Sequence, residues 1–276
     1  AIFDKKDVEV SLQLDVTGSM HGRKLGDLKE AVGDLLDILL PDSGTTSKMR
    51  IALAPFSAGV NAGAFAGAVS NGRSSNGCVY ERRNSADQDT DVAPVGKAAL
   101  KGNLDLPGAG ACSPNARVLP LSDDKDLLRR TVNAYTDRGS TAGHLGSAWA
   151  WYLVSPSWSA IFPASARPAN YNDGRTVKYA ILMTDGIYNT IEGRSDGDHG
   201  STARRSASAA IETCEAMKAK GIIVYTIGFE APSDAKDTLR ACASSRTKFY
   251  DASNGDQLRA AFRDIASEIN NLRLSQ

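Results

Sequence analysis

The first feature of the chain is an alternation of hydrophobic and polar residues over residues 8–16, which predicts a β-strand that ends near Asp15. Three further apolar runs predict strands at 49–56, 177–184 and 222–229, and the last two are apolar on both faces. Shorter strands are predicted at 118–121 and 248–250. Apolar residues spaced three and four apart predict the helices, which cover residues 25–40, 125–135, 142–154, 201–220, 234–243 and 256–272.

The order of these elements indicates the fold class. Strands alternate with helices, and strands that are apolar on both faces are typical of a parallel sheet covered on each side. We therefore predict an α/β fold with a doubly wound, mostly parallel central sheet flanked by helices. The whole chain, 1–276, is interpreted as one domain.

Two segments depart from this pattern. Residues 57–115 are rich in Gly, Ala, Ser and Asn, show little periodicity and are interpreted as an insertion. Residues 155–175 form a connector rich in Pro, Asn and Ser. Trp158 lies in this connector and is a candidate for exposure, whereas Trp149 and Trp151 fall on an apolar helix and are expected to pack in the core.

Composition and charge exclude some partners. The 276 residues contain 32 Lys and Arg against 32 Asp and Glu, so the formal net charge is zero. Nucleic acids and anionic membranes favour basic proteins, so neither is expected as the main partner. No apolar run reaches the roughly 18 residues that cross a bilayer. The chain begins at Ala1, and we expect any targeting or anchoring segment upstream of it.

The four cysteines bear on the cellular compartment. None of them forms a CxxC pair, which makes a zinc ribbon an unsuitable interpretation. Four cysteines allow three pairings, and the sequence does not choose among them. We expect the pairing of nearest neighbours, Cys78–Cys112 and Cys214–Cys242, which would pin the insertion and indicate an oxidising compartment. The alternative is four reduced thiols in a cytosolic protein.

Oxygen-bearing side chains cluster where the predicted strands end. Asp15, Thr17 and Ser19 follow the first strand in the segment DVTGSM. Asp185 follows the strand at 177–184, and Thr141 precedes a predicted helix. In an open parallel sheet, ligands bind outside the carboxyl ends of the strands. Hard divalent cations such as Mg²⁺ prefer oxygen ligands, so these five residues predict a magnesium or manganese site.

This pattern resembles the metal-ion-dependent adhesion site of the von Willebrand factor A domains, which reads Asp-x-Ser-x-Ser, then a distant Thr and a distant Asp. Asp15, Ser19, Thr141 and Asp185 match that motif, and Thr17 keeps the hydroxyl of the commoner Ser. The resemblance covers nearly the whole chain outside the insertion. It implies a Rossmann-like fold and a protein that binds and does not catalyse. A carboxylate from a protein partner would complete the shell of Mg²⁺ or Mn²⁺.

A narrower resemblance concerns the A-domain proteins of bacterial tight-adherence (Tad) pilus systems. Residues 118–156, with the stretch GSTAGHLGSAWAWYLVSP, and the later KYAILMTDG contribute most to it, together with the four cysteines. It implies a domain held on the periplasmic or extracellular side of the bacterial cell envelope by an upstream membrane anchor. A pilus subunit or an assembly component would then be the partner.

The remaining candidates lie in the same loops. His21, His144 and His199 are expected near the metal-binding face as partner contacts, and the alternative is that they are solvated loop histidines. Glu192, Asp196 and Asp198 follow Asp185 closely enough to fill the metal site themselves.

Two other functions stay open from the sequence. One is a structural assembly domain with an idle metal site. The other is a metal-dependent phosphotransfer enzyme with Asp15 as nucleophile, although Thr17 occupies the position where such enzymes usually carry a second Asp.

Overall fold

A six-stranded sheet occupies the centre of the computed structural model, which describes residues 6–40 and 48–275. The predicted domain limits at 1 and 276 lie outside the described residues. The sheet order is β11-β10-β7-β1-β2-β6, and all neighbours are parallel except β2 and β6. The strands are β1 (Asp7–Asp15), β2 (Met49–Phe56), β6 (Leu119–Ser122), β7 (Thr176–Thr184), β10 (Ile223–Phe229) and β11 (Phe249–Ala252).

Helices cover both faces of this sheet, which confirms the predicted fold class. One face packs on α1, α3 and α7, and the other packs on α4 and α5, with α6 beside α5. The seven helices of the described residues are α1 (Arg23–Leu39), α2 (Ala66–Val69), α3 (Lys125–Asn133), α4 (Gly143–Tyr152), α5 (Ser201–Ala219), α6 (Ser233–Cys242) and α7 (Gly255–Ser275). Within the described ranges, no helix is long and apolar enough to cross a membrane.

Strand β1 is buried on both faces although its sequence alternates between apolar and polar residues. Its apolar residues pack against α1 and α7. The polar residues on the opposite face are also buried: Glu9 pairs with Lys178, and Gln13 accepts a hydrogen bond from Ser147 at 2.8 Å. Burial of polar groups requires such partners, so the alternation marks a buried polar face and not a solvated one.

The insertion has its own small sheet. Strands β3 (Val60–Asn61), β4 (Cys78–Arg82) and β5 (Leu100–Gly102) pair antiparallel in the order β3-β4-β5. The disulfide Cys78–Cys112 joins β4 to the end of the insertion, and Cys214–Cys242 joins α5 to the last residue of α6. Both expected pairings are confirmed. A short hairpin, β8 (Thr190–Ile191) and β9 (Arg194–Ser195), lies between β7 and α5.

The connector is not solvated at Trp158, which contradicts its expected exposure. Trp158 is fully buried, and its ring stacks on Tyr152 with ring centroids 4.0 Å apart. The guanidinium of Arg82 lies 4.8 Å from the centroid of the Tyr152 ring. The connector thus closes over the insertion and α4 and joins them through one aromatic cluster.

The disulfide between α5 and α6 gives a stability prediction. The double variant Cys214→Ala/Cys242→Ala should lower the free energy of unfolding by about 3–4 kcal/mol, because opening a loop of this size adds chain entropy to the unfolded state. Urea denaturation followed by circular dichroism measures the loss, with the wild-type protein under non-reducing conditions as control. A decrease below about 1 kcal/mol would contradict the prediction.

Candidate metal centre

The carboxyl ends of β1 and β7 bring the two predicted aspartates together. Asp15 is the last residue of β1, and Asp185 directly follows β7. Because β1 and β7 are parallel neighbours, both carboxylates lie at the same edge of the sheet. Both are buried, and among the predicted ligands only Ser19 is exposed. The site therefore opens to solvent beside Ser19.

Two hydrogen bonds from hydroxyls and one close contact between oxygens connect four of the five predicted ligands. Asp15 Oδ1 accepts from the hydroxyl of Thr17 at 2.6 Å and from its backbone N–H at 2.9 Å. Thr17 Oγ1 lies 3.0 Å from Ser19 Oγ. The Ser19 hydroxyl in turn donates to Asp185 Oδ1 at 2.6 Å. The structure thus brings these oxygens together as the sequence predicts.

Thr141 supplies the fifth oxygen. A Cβ atom added to Gly186 would lie 3.8 Å from Thr141 Oγ1 and 3.9 Å from Ser19 Oγ, so both hydroxyls border the same space. The backbone N–H of Thr141 donates a hydrogen bond to Asn189 Oδ1 at 3.0 Å, which fixes the backbone at this position. Its hydroxyl has no hydrogen bond to any residue in the described ranges, although Thr141 is only 6% exposed.

Two buried carboxylates and one ammonium determine the charge of the site. Burial, with the neighbouring charge of Asp185, raises the pKa of Asp15 to about 6, although hydrogen bonds from Thr17 and Thr184 oppose the rise. Lys24 Nζ donates to Asp185 Oδ2 at 2.8 Å and lies 3.8 Å from Glu230. One ammonium thus faces the carboxylate of Asp185.

Sequence reasoning missed two contributors, Lys24 and Thr184. The Thr184 hydroxyl donates to Asp15 Oδ2 at 2.6 Å and so fixes the second oxygen of that carboxylate. The sequence feature that could have identified Thr184 is its position immediately before Asp185, at the end of a buried strand. Lys24 lies in the first turn of α1, the helix that follows the DVTGSM loop. Only the fold shows that this turn faces Asp185.

The donor set fits a hard divalent cation. Two carboxylates and three hydroxyls offer oxygen alone, which suits Mg²⁺ or Mn²⁺ better than zinc. In the part of the chain that the structure describes, no three His, Cys, Asp or Glu residues form a metal-binding group. The residues whose oxygens could hold such an ion are Asp15, Thr17, Ser19, Thr141 and Asp185.

The three histidines have different environments. His21 is exposed, and its Nδ1 lies 3.2 Å from Asp137. His199 is also exposed, 3.5 Å from Asp234. His144 lies in α4 and is buried. It therefore matches neither prediction for the histidines, a partner contact at the surface or a solvated loop residue. A partner role for His21 and His199 stays a prediction.

The acidic residues after Asp185 have ion-pair or hydrogen-bond partners of their own. Glu192 pairs with Lys101. Asp196 accepts hydrogen bonds from the backbone N–H groups of Ser201 and Thr202, at 2.7 and 3.1 Å, and Asp198 accepts one from Asn189 at 2.8 Å. None of these contacts involves one of the five predicted ligands.

Comparison with known proteins identifies the fold. No protein-family model matches the chain, and no curated protein sequence matches it. Among solved structures, the vWF domain of the type V pili tip protein Mfa5 from Porphyromonas gingivalis aligns with 97% of this chain and 96% of that chain, with a TM-score of 0.60 and 14% identity.

Two other solved structures share the fold. The pilus adhesin SpaC from Lactobacillus rhamnosus GG, in its open conformation, has a TM-score of 0.55 and 15% identity over 96% of this chain and 30% of that chain. Proximal thread matrix protein 1 from the mussel byssus has a TM-score of 0.51 and 13% identity over 98% of this chain and 47% of that chain. The chain therefore has the von Willebrand factor A fold, as the motif from Asp15 to Ser19 predicts.

Proposed function

We propose that this chain is a metal-dependent protein-binding module that docks an acidic group of a partner protein on a divalent ion. The observation that carries the proposal is the convergence of five oxygen-bearing side chains at one edge of the sheet. The proposed ligands of Mg²⁺ or Mn²⁺ are Asp15, Thr17, Ser19, Thr141 and Asp185.

The charge balance favours an acidic partner. The carboxylates of Asp15 and Asp185 together balance the two positive charges of the ion, and Lys24 beside Asp185 adds another positive charge. A carboxylate that approaches this site is thus attracted and not repelled. Mg²⁺ requires about six oxygens, so five side-chain oxygens leave room for a group from a partner.

The solved relatives support an adhesive role at a cell surface. Mfa5 is described as a pili tip protein and SpaC as a pilus adhesin. We propose by analogy that this chain acts in adhesion or pilus assembly on the periplasmic or extracellular side of a bacterial envelope. A Tad-like system, an upstream membrane anchor and a pilus subunit as partner are part of the proposal. The two disulfides suit that oxidising compartment.

Metal binding is the first test. Calorimetric titration of Mg²⁺ and Mn²⁺ into the metal-stripped protein should show one saturable site. Asp15→Ala should abolish it, because that variant removes a buried carboxylate ligand. Asp137→Asn is the matched control, since Asp137 bonds to His21 outside the donor set. Absence of saturable binding by the wild-type protein would overturn the proposal.

Docking of a carboxylate is the second test. With Mn²⁺ bound, the protein should increase the transverse relaxation rate of acetate methyl protons, since the acetate carboxylate enters the shell of the ion. Asp15→Ala should lower the relaxation rate to the value that the same concentration of Mn²⁺ gives without protein. Metal binding without this effect would favour the idle structural site. Mg²⁺-dependent hydrolysis of p-nitrophenyl phosphate that Asp15→Ala abolishes would favour phosphotransfer.

Replacement of Lys24 should strengthen metal binding, whereas replacement of Asp15 should abolish it. Lys24→Met should strengthen Mg²⁺ binding about tenfold, because the ammonium 2.8 Å from Asp185 repels the incoming cation. Lys24→Arg keeps the charge and should bind Mg²⁺ like the wild-type protein. Equal calorimetric affinities for Lys24→Met and the wild type would show that the Lys24 side chain moves aside without cost.

A further inference from the structure

The edge of the sheet opposite the metal centre is locally basic, although the whole chain has no net charge. Because β1, β2 and β7 are parallel, they all begin at this edge, whereas Asp15 and Asp185 lie where β1 and β7 end. Two neighbouring cavities lie here, and the acidic residues that line them are Asp7, Glu9 and Asp173. The basic residues that line them are Lys6, Lys48, Arg50, Arg175, Lys178 and Lys220.

One of these cavities, of about 260 Å³, is lined by lysines and by no acidic residue of the described ranges, and we call it the lysine cavity. It lies between the residue before β1, the first residues of β7 and the C-terminus of α5. Lys6, Lys178 and Lys220 supply its charge, and Asn172 and Thr176 supply polar side chains. A concave site with several ammonium groups and no carboxylate favours an anionic ligand.

Two of the three lysines are accessible and have no carboxylate partner in the described ranges. Lys220 is exposed, and its ammonium lies 5.7 Å from the centroid of the Tyr171 ring. Lys6 is half-buried, and its ammonium donates a hydrogen bond to the carbonyl of Gly174. An ammonium has three N–H donors, so both groups retain donors for a ligand.

The third lysine belongs to a buried cluster that is short of negative charge. Lys178 is 5% exposed, and its ammonium pairs with Glu9 and donates to the carbonyl of Val154 at 3.0 Å. Glu9 also pairs with Arg50, so one carboxylate serves two cations. Burial lowers the pKa of Lys178, although Glu9 opposes the change. An anion in the cavity would stabilise the charged form of this lysine further.

Asp173 lies in the adjoining loop, where its oxygens hold the start of β7. Its Oδ1 accepts from the backbone N–H groups of Arg175 and Thr176, at 2.9 and 2.7 Å. Its Oδ2 accepts from the Thr176 hydroxyl at 2.8 Å. Asp173 therefore contributes charge to the surroundings of the lysine cavity but donates no oxygen to its lysines through these contacts.

The charge balance indicates the kind of anion. In and beside the lysine cavity, the carboxylates of Glu9 and Asp173 face four cations. These cations are Lys6, Arg50, Lys178 and Lys220. The excess of two positive charges matches a dianion better than a single carboxylate. A phosphate monoester is largely dianionic at neutral pH, and lysine ammonium groups are frequent partners of phosphate.

We propose that the lysine cavity binds a phosphate group, that of a soluble phosphate monoester or of a phospholipid headgroup, with the ammonium groups of Lys6 and Lys220 as its donors. The buried charge of Lys178 adds to the attraction. At about 3.3 Å per residue, the nine residues of β1 separate this cavity from the metal centre by roughly 25–30 Å. It is thus a second binding site, and it needs no metal.

Titration of the isotope-labelled full chain with methyl phosphate, followed by ¹H–¹⁵N NMR in a buffer with EDTA, tests the proposal. Saturable shifts should appear at the amides of Asn172, Gly174 and Gly221, which line the cavity. The matched probe dimethyl phosphate keeps the tetrahedral phosphorus but carries one negative charge, so it should bind at least tenfold more weakly. EDTA removes divalent ions, so the outcome is separate from that of the metal-binding tests.

Variants of exposed lysines locate the donors. Lys220→Gln removes one exposed ammonium of the cavity and should weaken binding of methyl phosphate at least tenfold. Lys97→Gln is the matched control, because it removes an exposed ammonium in the insertion and should leave binding unchanged. The double variant Lys6→Gln/Lys220→Gln should abolish saturable binding.

Vesicles distinguish the two sources of the phosphate group. Sedimentation with phosphatidylcholine vesicles that contain phosphatidic acid, and not with phosphatidylcholine alone, would assign the site to a lipid headgroup. Binding of methyl phosphate without such sedimentation would assign it to a soluble phosphate monoester. In either case, Lys220→Gln should weaken the binding that is found.

Three outcomes would overturn the proposal. They are shifts that do not saturate, equal affinities for methyl phosphate and dimethyl phosphate, and equal affinities of Lys220→Gln and Lys97→Gln for methyl phosphate. Each would leave Lys220 as a charge that only offsets the partial negative charge of the last carbonyls of α5.

Discussion

The buried polar face of β1 is the constraint on which the rest of the structure depends. Glu9 meets Lys178 and Arg50, and Gln13 meets Tyr188 and a serine of α4. A shift of β1 by one residue would turn these groups into the aliphatic layer beneath α1 and leave each without a partner. The register of β1 against both neighbouring strands is therefore strongly specified. This register also fixes the position of the last residue of β1.

That last residue is Asp15, and its environment shows why a charged group is tolerated at the end of the central strand. Its two oxygens accept hydrogen bonds from Thr17 and Thr184, and it also lies within 3.4 Å of the backbone N–H of Asp185. These donors offset only part of the cost of the buried charge, because burial and the neighbouring charge of Asp185 still raise the pKa of Asp15. In the proposed site, a divalent cation would supply the positive charge that these hydrogen bonds do not.

Much of this arrangement follows from the sequence, for a physical reason. Hydrophobic periodicity is local, so it located the core strands and helices and placed Asp15 and Asp185 at strand ends. Burial of polar residues depends on partners that are distant in sequence. The environment of His144 required Glu81, 63 residues away, and that of Trp158 required the insertion. Lys24 likewise has no local pattern, because only the packing of α1 brings it to Asp185.

The insertion is joined to the proposed metal centre by short connections. Thr141 and His144 are separated by one turn at the start of α4, and the hairpin after β7 contacts both Thr141 and Glu81. In the proposed function, the common part of the fold supplies the cation site, and the insertion supplies the surface beside it. Selectivity for a partner would then reside in the insertion, because the five oxygen ligands alone accept any accessible carboxylate.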